Sequence, residues 1–173
     1  HLYALLGLIK KNKVRKSFIH AILDGKDSIF NNGKNIISDL DDKLAEMKAK
    51  TEIASLCGRK YAMNNTCHWS KTESFFQLLT AGNGKEINEP IKAIDISYEQ
   101  EIYDENFQPT LIKKNKQFPG LIEAGDAVIF LNFKPDGLRQ IAQALALPDF
   151  SKFEREISGK DLFVITMTEY DKY

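Results

Sequence analysis

The sequence has 173 residues, of which 43% are hydrophobic and 28% are charged, an ordinary composition for one globular domain with a buried core. Lys and Arg together number 24, as do Asp and Glu, so the formal net charge is zero. This balance argues against a nucleic-acid partner, because nucleic-acid-binding proteins usually carry a basic excess. Two cysteines are too few for a disulfide framework and fit a reducing cytoplasm. No apolar run approaches the roughly 18 residues of a membrane helix, so no membrane partner is expected.

Patterns typical of helices and of strands alternate along the chain. Apolar residues at helical spacing predict helices over residues 2–11, around 36–47 and over 68–80, then after Pro90 and from Pro135. In the second of these helices the predicted apolar face consists of Ile36, Leu40, Leu44 and Met47. Short apolar runs predict strands over residues 17–23, 52–57, 127–131 and 162–168, with a small hairpin or edge piece from residues 110–114 and 118–123.

The order of these elements predicts the fold class. Strands that alternate with helices of these lengths indicate a three-layer α/β/α sandwich around a mostly parallel, mixed sheet. Residues 127–131 (AVIFL) form a continuous apolar run, which predicts a strand buried on both faces. Both ends of the sequence lie close to predicted core elements, and we therefore expect the chain to be a piece of a longer protein.

Polar clusters follow three of the predicted strands. In open α/β sheets the ligand lies beyond the carboxyl ends of the strands, so we expect these clusters to converge. Several cations around one carboxylate suit a small anion whose hydroxyl group needs a base. The alternative is that the clusters are ordinary loops at strand ends. The side chains concerned are Lys26, Asp27, Arg59, Lys60 and Lys134.

Other candidate sites are weaker. A structural zinc site requires four ligands at short spacing in the sequence, which Cys57, Cys67 and His68 do not provide. No metal site is therefore predicted from them. His20 lies among apolar neighbours in the first predicted strand, where a hydrogen-bonded core histidine is expected.

Six stretches of the sequence carry a resemblance to a known family: HLYALL (1–6), IHAILDGKD (19–27), IASLCGRKYAM (53–63), SYEQEIYDENFQPTLI (97–112), GDAVIFLNFKPD (125–136) and FVITMTEYD (163–171). In this order and at similar spacing, they resemble the family of 2,3-bisphosphoglycerate-independent phosphoglycerate mutases. The resemblance implies that residues 1–173 are the inserted substrate-binding (phosphotransferase) domain of a cytoplasmic, glycolytic isomerase that interconverts 3- and 2-phosphoglycerate. It also implies that the parent protein carries a phosphoserine and two manganese ions in a separate catalytic domain. A further substrate lysine and a substrate-binding histidine would also lie outside this sequence. The fragment alone should then be inactive.

The same resemblance implies roles for individual residues. Asp27 matches an aspartate that contacts glycerate hydroxyls and is a candidate general base, and Arg59 matches a substrate-binding arginine. Lys26 and Lys134 stand where the family has arginines, whereas Asn65 and Gly137 replace two more arginines with uncharged residues.

The changed pocket leaves two interpretations open. Five arginines of the family pattern become one Arg and two Lys, and Lys cannot copy the planar bidentate fork of Arg. Either other groups compensate in an active mutase, or the chain is a divergent pseudoenzyme domain that keeps the fold as a binding or structural module.

Overall fold

The computed structural model describes residues 1–48, 50–113, 120–157 and 161–171. The helices are α1 (Leu2–Lys11), α2 (Gly33–Met47), α3 (Arg59–Ala62), α4 (Trp69–Ala81), α5 (Pro90–Glu99) and α6 (Pro135–Ala146), with a 3₁₀ turn, η1 (Asp104–Asn106). The strands are β1 (Ser17–Leu23), β2 (Thr51–Gly58), β3 (Lys85–Ile87), β4 (Thr110–Ile112), β5 (Ala127–Phe130) and β6 (Phe163–Thr166).

A mixed sheet with the strand order β1-β2-β4-β3 forms the centre of the fold. β1 runs parallel to β2, and β3 runs parallel to β4, whereas β2 and β4 are antiparallel. β5 and β6 form a separate two-stranded parallel sheet. Most of the strand pairs are therefore parallel, as the sequence predicts.

Helices cover both faces of the four-stranded sheet. On one face α1, α2 and α5 pack with Leu56 and Ile112, and on the other face α4 and α6 pack with Cys57 and Leu111. Consecutive residues of a strand point to opposite faces, so each central strand contributes to both hydrophobic clusters. The predicted three-layer α/β/α sandwich is confirmed.

The prediction that the AVIFL run is buried on both faces is wrong. β5 alternates between exposed and half-buried residues: Ile129 is 37% exposed, and Leu131, just past the strand, is 38% exposed. Among the described residues β5 pairs only with β6, and both strands alternate between exposed and half-buried residues, so one face of this small sheet is exposed. An apolar run shows only that the residues are hydrophobic, whereas burial on both faces requires other elements to pack on each side of the strand.

The predicted apolar face of α2 is confirmed at Leu40, Leu44 and Met47 and is wrong at its first residue. Ile37 is 2% exposed and packs with Leu40 and Leu44, whereas Ile36 is 57% exposed. Both isoleucines lie three or four residues before Leu40, so helical spacing alone cannot choose between them.

The predicted hairpin is also corrected. β4 pairs with β2 and β3, and the described residues 120–123 form no strand. Residues 114–119, which would form the turn and part of the second strand, lie outside the described residues. The part of the chain that the structure describes contains no helix long and apolar enough to cross a membrane.

Candidate functional site

Arg59 connects the ends of two neighbouring strands. It is the first residue of α3 and directly follows β2, whereas Asp24 directly follows β1. The Arg59 Nη1 atom donates hydrogen bonds to Asp24 Oδ1 and, at 2.9 Å, to Asp27 Oδ2. Burial disfavours the charged guanidinium, but these carboxylates outweigh burial and raise the pKa of Arg59. The predicted convergence of Asp27 and Arg59 is thus seen in the structure.

Asp24 organises the loop that carries Asp27. Its Oδ2 atom accepts a 3.0 Å hydrogen bond from the Asp27 backbone N–H, a side-chain-to-backbone turn typical of aspartate. Partial burial acts to raise the pKa of Asp24, but hydrogen bonds from Arg59 and Ser28 lower it overall. Asp24 belongs to the polar cluster predicted after the first strand but is not among the predicted binding residues, although an aspartate at the first position after a strand was a usable signal.

Lys134 approaches Asp27 from the loop after β5. It precedes α6, and its backbone N–H donates a 2.8 Å hydrogen bond to Asn132 Oδ1, which fixes the loop. Its Nζ atom donates to Asp27 Oδ2. The hydrogen bonds from Lys134 and Arg59 lower the pKa of Asp27 to about 2. In this arrangement Asp27 is an ionised acceptor and a weak base at neutral pH, so general-base chemistry requires that its cations move.

The two remaining predicted cations behave differently. Lys26 is exposed and forms no hydrogen bond or ion pair with any part of the chain that the structure describes. Lys60 donates from Nζ to Asn106 Oδ1 at 2.6 Å, a neutral partner, and within the described ranges no carboxylate forms an ion pair with Lys60. Lys26 was predicted to join the anion clamp, and the structure does not bring it into the hydrogen-bonded cluster.

The positions of the two replaced arginines lie beside the loop that carries Lys134. The Asn65 Nδ2 atom is 3.4 Å from Asp136 Oδ2, a weak contact. Gly137 is buried in the first turn of α6, where an added Cβ would lie 2.7 Å from Met63 Cε. Neither position supplies a cation.

The charges of the cluster formed by Asp24, Asp27, Arg59 and Lys134 balance, with two carboxylates against two cations. An anion that binds here therefore competes with two carboxylates for Arg59 and Lys134. Within one small volume, the two carboxylates can accept hydrogen bonds from hydroxyl groups, and the two cations can donate hydrogen bonds to an acid group. Among the described residues, no three or more His, Cys, Asp or Glu side chains are placed to hold a metal ion.

Fold and site together define an α/β/α domain in which three strand-end loops gather acidic and basic side chains. Residues 1–172 match the family model described as the N-terminus of BPG-independent phosphoglycerate mutase (PGAM). The chain belongs to this family, as the sequence resemblance predicts.

Related proteins are longer than this chain. A 2,3-bisphosphoglycerate-independent phosphoglycerate mutase of Clostridium acetobutylicum is 40% identical over 171 residues, which are 99% of this chain and 33% of the relative. The enzyme of the same name from Clostridium perfringens (strain 13) is 37% identical over 174 residues, again with 99% and 33% covered. The chain thus spans about a third of the length of these relatives.

A solved structure has the same fold. It is a Leishmania mexicana phosphoglycerate mutase, crystallised at low cobalt concentration. It superimposes with a TM-score of 0.89 at 24% identity, over 96% of this chain and 32% of that chain.

Proposed function

We propose that this chain is the substrate-binding domain, residues 1–173, of a longer mutase that interconverts 3- and 2-phosphoglycerate in the cytoplasm. The observation that carries the proposal is the convergence of Asp27, Arg59 and Lys134 from segments that follow three different strands. Family membership and the names of the relatives support the substrate class. The phosphoserine and two manganese ions belong, in this proposal, to a catalytic domain of the parent chain.

Each side chain of the cluster has a role in the proposal. Arg59 and Lys134 release their carboxylate partners to bind the carboxylate or phosphate of phosphoglycerate. Asp27 then accepts the hydroxyl proton of glycerate as general base, because its pKa rises once Lys134 and Arg59 turn to the substrate. Lys26 and Lys60 supply further positive charge at the rim, whereas Asn65 and Gly137 supply none.

The test is a rate measurement on the full-length parent protein. Manganese-loaded protein, assayed with enolase as coupling enzyme and without bisphosphoglycerate, should convert 3-phosphoglycerate to 2-phosphoglycerate. The Arg59→Ala variant should lose most of this rate, because a hydrogen bond to a charged group contributes about 1.5–3 kcal/mol, or roughly 10- to 100-fold. Folded, metal-loaded parent protein without any rate would reject the proposal.

A second candidate is a pseudoenzyme domain, favoured by Asn65 and Gly137 and by the neutral charge of the cluster. In this case the fold persists as a binding or structural module. The sequence of the parent chain separates the two candidates: an intact serine and metal-ligand set favours the mutase, and a degraded set favours the module.

A further inference from the structure

Asp104, in the 3₁₀ turn η1, is a buried carboxylate that lies outside the cluster of Asp24, Asp27, Arg59 and Lys134. Its residue exposure is 1%. Its Oδ2 atom accepts a 2.7 Å hydrogen bond from the backbone N–H of Gly33, the first residue of α2. Its Oδ1 atom accepts from the hydroxyl of Tyr98 on α5. The first N–H groups of a helix have no partner within the helix, so Asp104 caps α2 from a distant part of the chain.

The backbone of η1 packs against the loop that follows β1. Gly25, between Asp24 and Lys26, has a φ of +64°, and a Cβ there would lie 2.6 Å from the backbone N of Glu105. The Asp104 backbone N–H also donates a 3.1 Å hydrogen bond to the carbonyl of Phe30, further along the same loop. The loop that carries Asp24 and Asp27 is therefore held against η1 at two points.

The same turn contacts the end of β2. A Cβ on Gly58 would lie 2.5 Å from the carbonyl oxygen of Glu105 and 2.6 Å from that of Asp104. The Gly58 backbone N–H donates a 2.8 Å hydrogen bond to the Phe107 carbonyl, and Arg59 is the next residue along the chain. One turn thus sets the position of both strand ends that Arg59 joins.

We propose that Asp104 is a positioning residue for the phosphoglycerate site. Asp104 fixes the loop of Asp24 and Asp27 at hydrogen-bond distance from Arg59. Its carboxylate holds η1 between α2 and α5, and η1 in turn supports Gly25 and Gly58. Because Asp104 is 1% exposed and its two carboxylate oxygens are bonded to Gly33 and Tyr98, its role in this proposal is indirect. This inference rests on the proposed function for the identity of the ligand, whereas the effect on the loop is independent of it.

The test compares variants of the full-length parent protein. Asp104→Ala should raise the KM for 3-phosphoglycerate on the order of 10- to 100-fold, because displacement of a binding group by about 1 Å has effects of this size. Asp104→Asn should stay close to wild type, because its amide oxygen still accepts from Gly33 and its NH₂ group donates to Tyr98. Leu78→Ala, a truncation of a fully buried α4 side chain on the opposite face, is the control for general loss of stability.

Hydrogen–deuterium exchange of residues 24–28 gives a readout that needs no activity. Asp104→Ala should accelerate exchange there, whereas Asp104→Asn and Leu78→Ala should not. Tyr98→Phe should cause a smaller acceleration, and it takes the place of Asp104→Ala if that variant is insoluble. Wild-type exchange of this loop in Asp104→Ala and Tyr98→Phe overturns the inference, as does a KM in Asp104→Ala no higher than in Leu78→Ala. If the wild-type parent shows no mutase rate, the proposed function fails and the exchange comparison alone decides the role of Asp104.

Discussion

Asp27 shows how one side chain can be placed correctly by sequence and still have its chemistry changed by its neighbours. The parallel β1–β2 pair brings the loops of Asp27 and Arg59 together, and that topology was readable from the strand order. The choice of partners was not readable, because it depends on the rotamers of long side chains: Lys134 reaches Asp27, whereas the adjacent Lys26 does not. Sequence reasoning thus predicted the meeting point and missed the neutral pairing within it.

The two cations around Asp27 lead to a titration prediction. The folded-state pKa of about 2 lies below the ordinary value, so the contribution of Asp27 to stability is present above pH about 4 and is lost as the pH falls towards 2. Lys134→Met removes the first of the two hydrogen bonds and should raise this pKa towards its ordinary value. Carboxyl ¹³C NMR measures the shift directly. Lys26→Met is the matched control and should leave the pKa of Asp27 unchanged; equal shifts in both variants would contradict the pairing.

At the scale of elements, length decides what the sequence can predict. The long helices α1, α4, α5 and α6 show several apolar repeats each, and their predicted positions agree with the structure to within a few residues. α3, β3 and η1 have three or four residues, fewer than a pattern needs to repeat, and were not predicted. Two of these short elements support the site, since α3 begins with Arg59 and η1 contains Asp104.

Two glycines in different helices allow the same substitution to be compared. Gly7 lies in α1, where an added Cβ would meet nothing within 4 Å. Gly7→Ala should stabilise the protein by about 0.5–1 kcal/mol through the higher helix propensity of alanine. In α6, Gly137→Ala should gain less, because Met63 must move away from a Cβ that would lie 2.7 Å from its Cε and 3.3 Å from its Cβ.

Urea unfolding of the two variants beside wild type measures this difference. An equal gain at both positions would show that Met63 yields without cost. It would also make Gly137→Arg, the substitution that restores the family pattern, compatible with the packing of α6.

At the scale of the whole molecule, the central strands make the two hydrophobic clusters interdependent. Leu111 and Ile112 are adjacent in β4, are both fully buried and belong to opposite clusters, and Leu56 and Cys57 divide in the same way in β2. If β2 and β4 separate from the helices on one face, the hydrophobic cluster on the other face is disrupted as well. Cooperative unfolding of both helical layers is therefore expected, and the polar site at the strand ends depends on both.

The single tryptophan makes this cooperativity measurable. Trp69 packs edge-on against Phe150, with ring centroids 5.5 Å apart, on the α4 and α6 side of the sheet, whereas far-UV circular dichroism reports the helices of both layers. The two probes should give coincident urea transitions. Ile112→Ala, on the side opposite Trp69, should destabilise both transitions by the same amount, about 2–5 kcal/mol. A tryptophan transition that stays at its wild-type midpoint while the dichroism shifts would show that the layers unfold separately, in which case the coupling through β2 and β4 is too weak to hold the site loops as one unit.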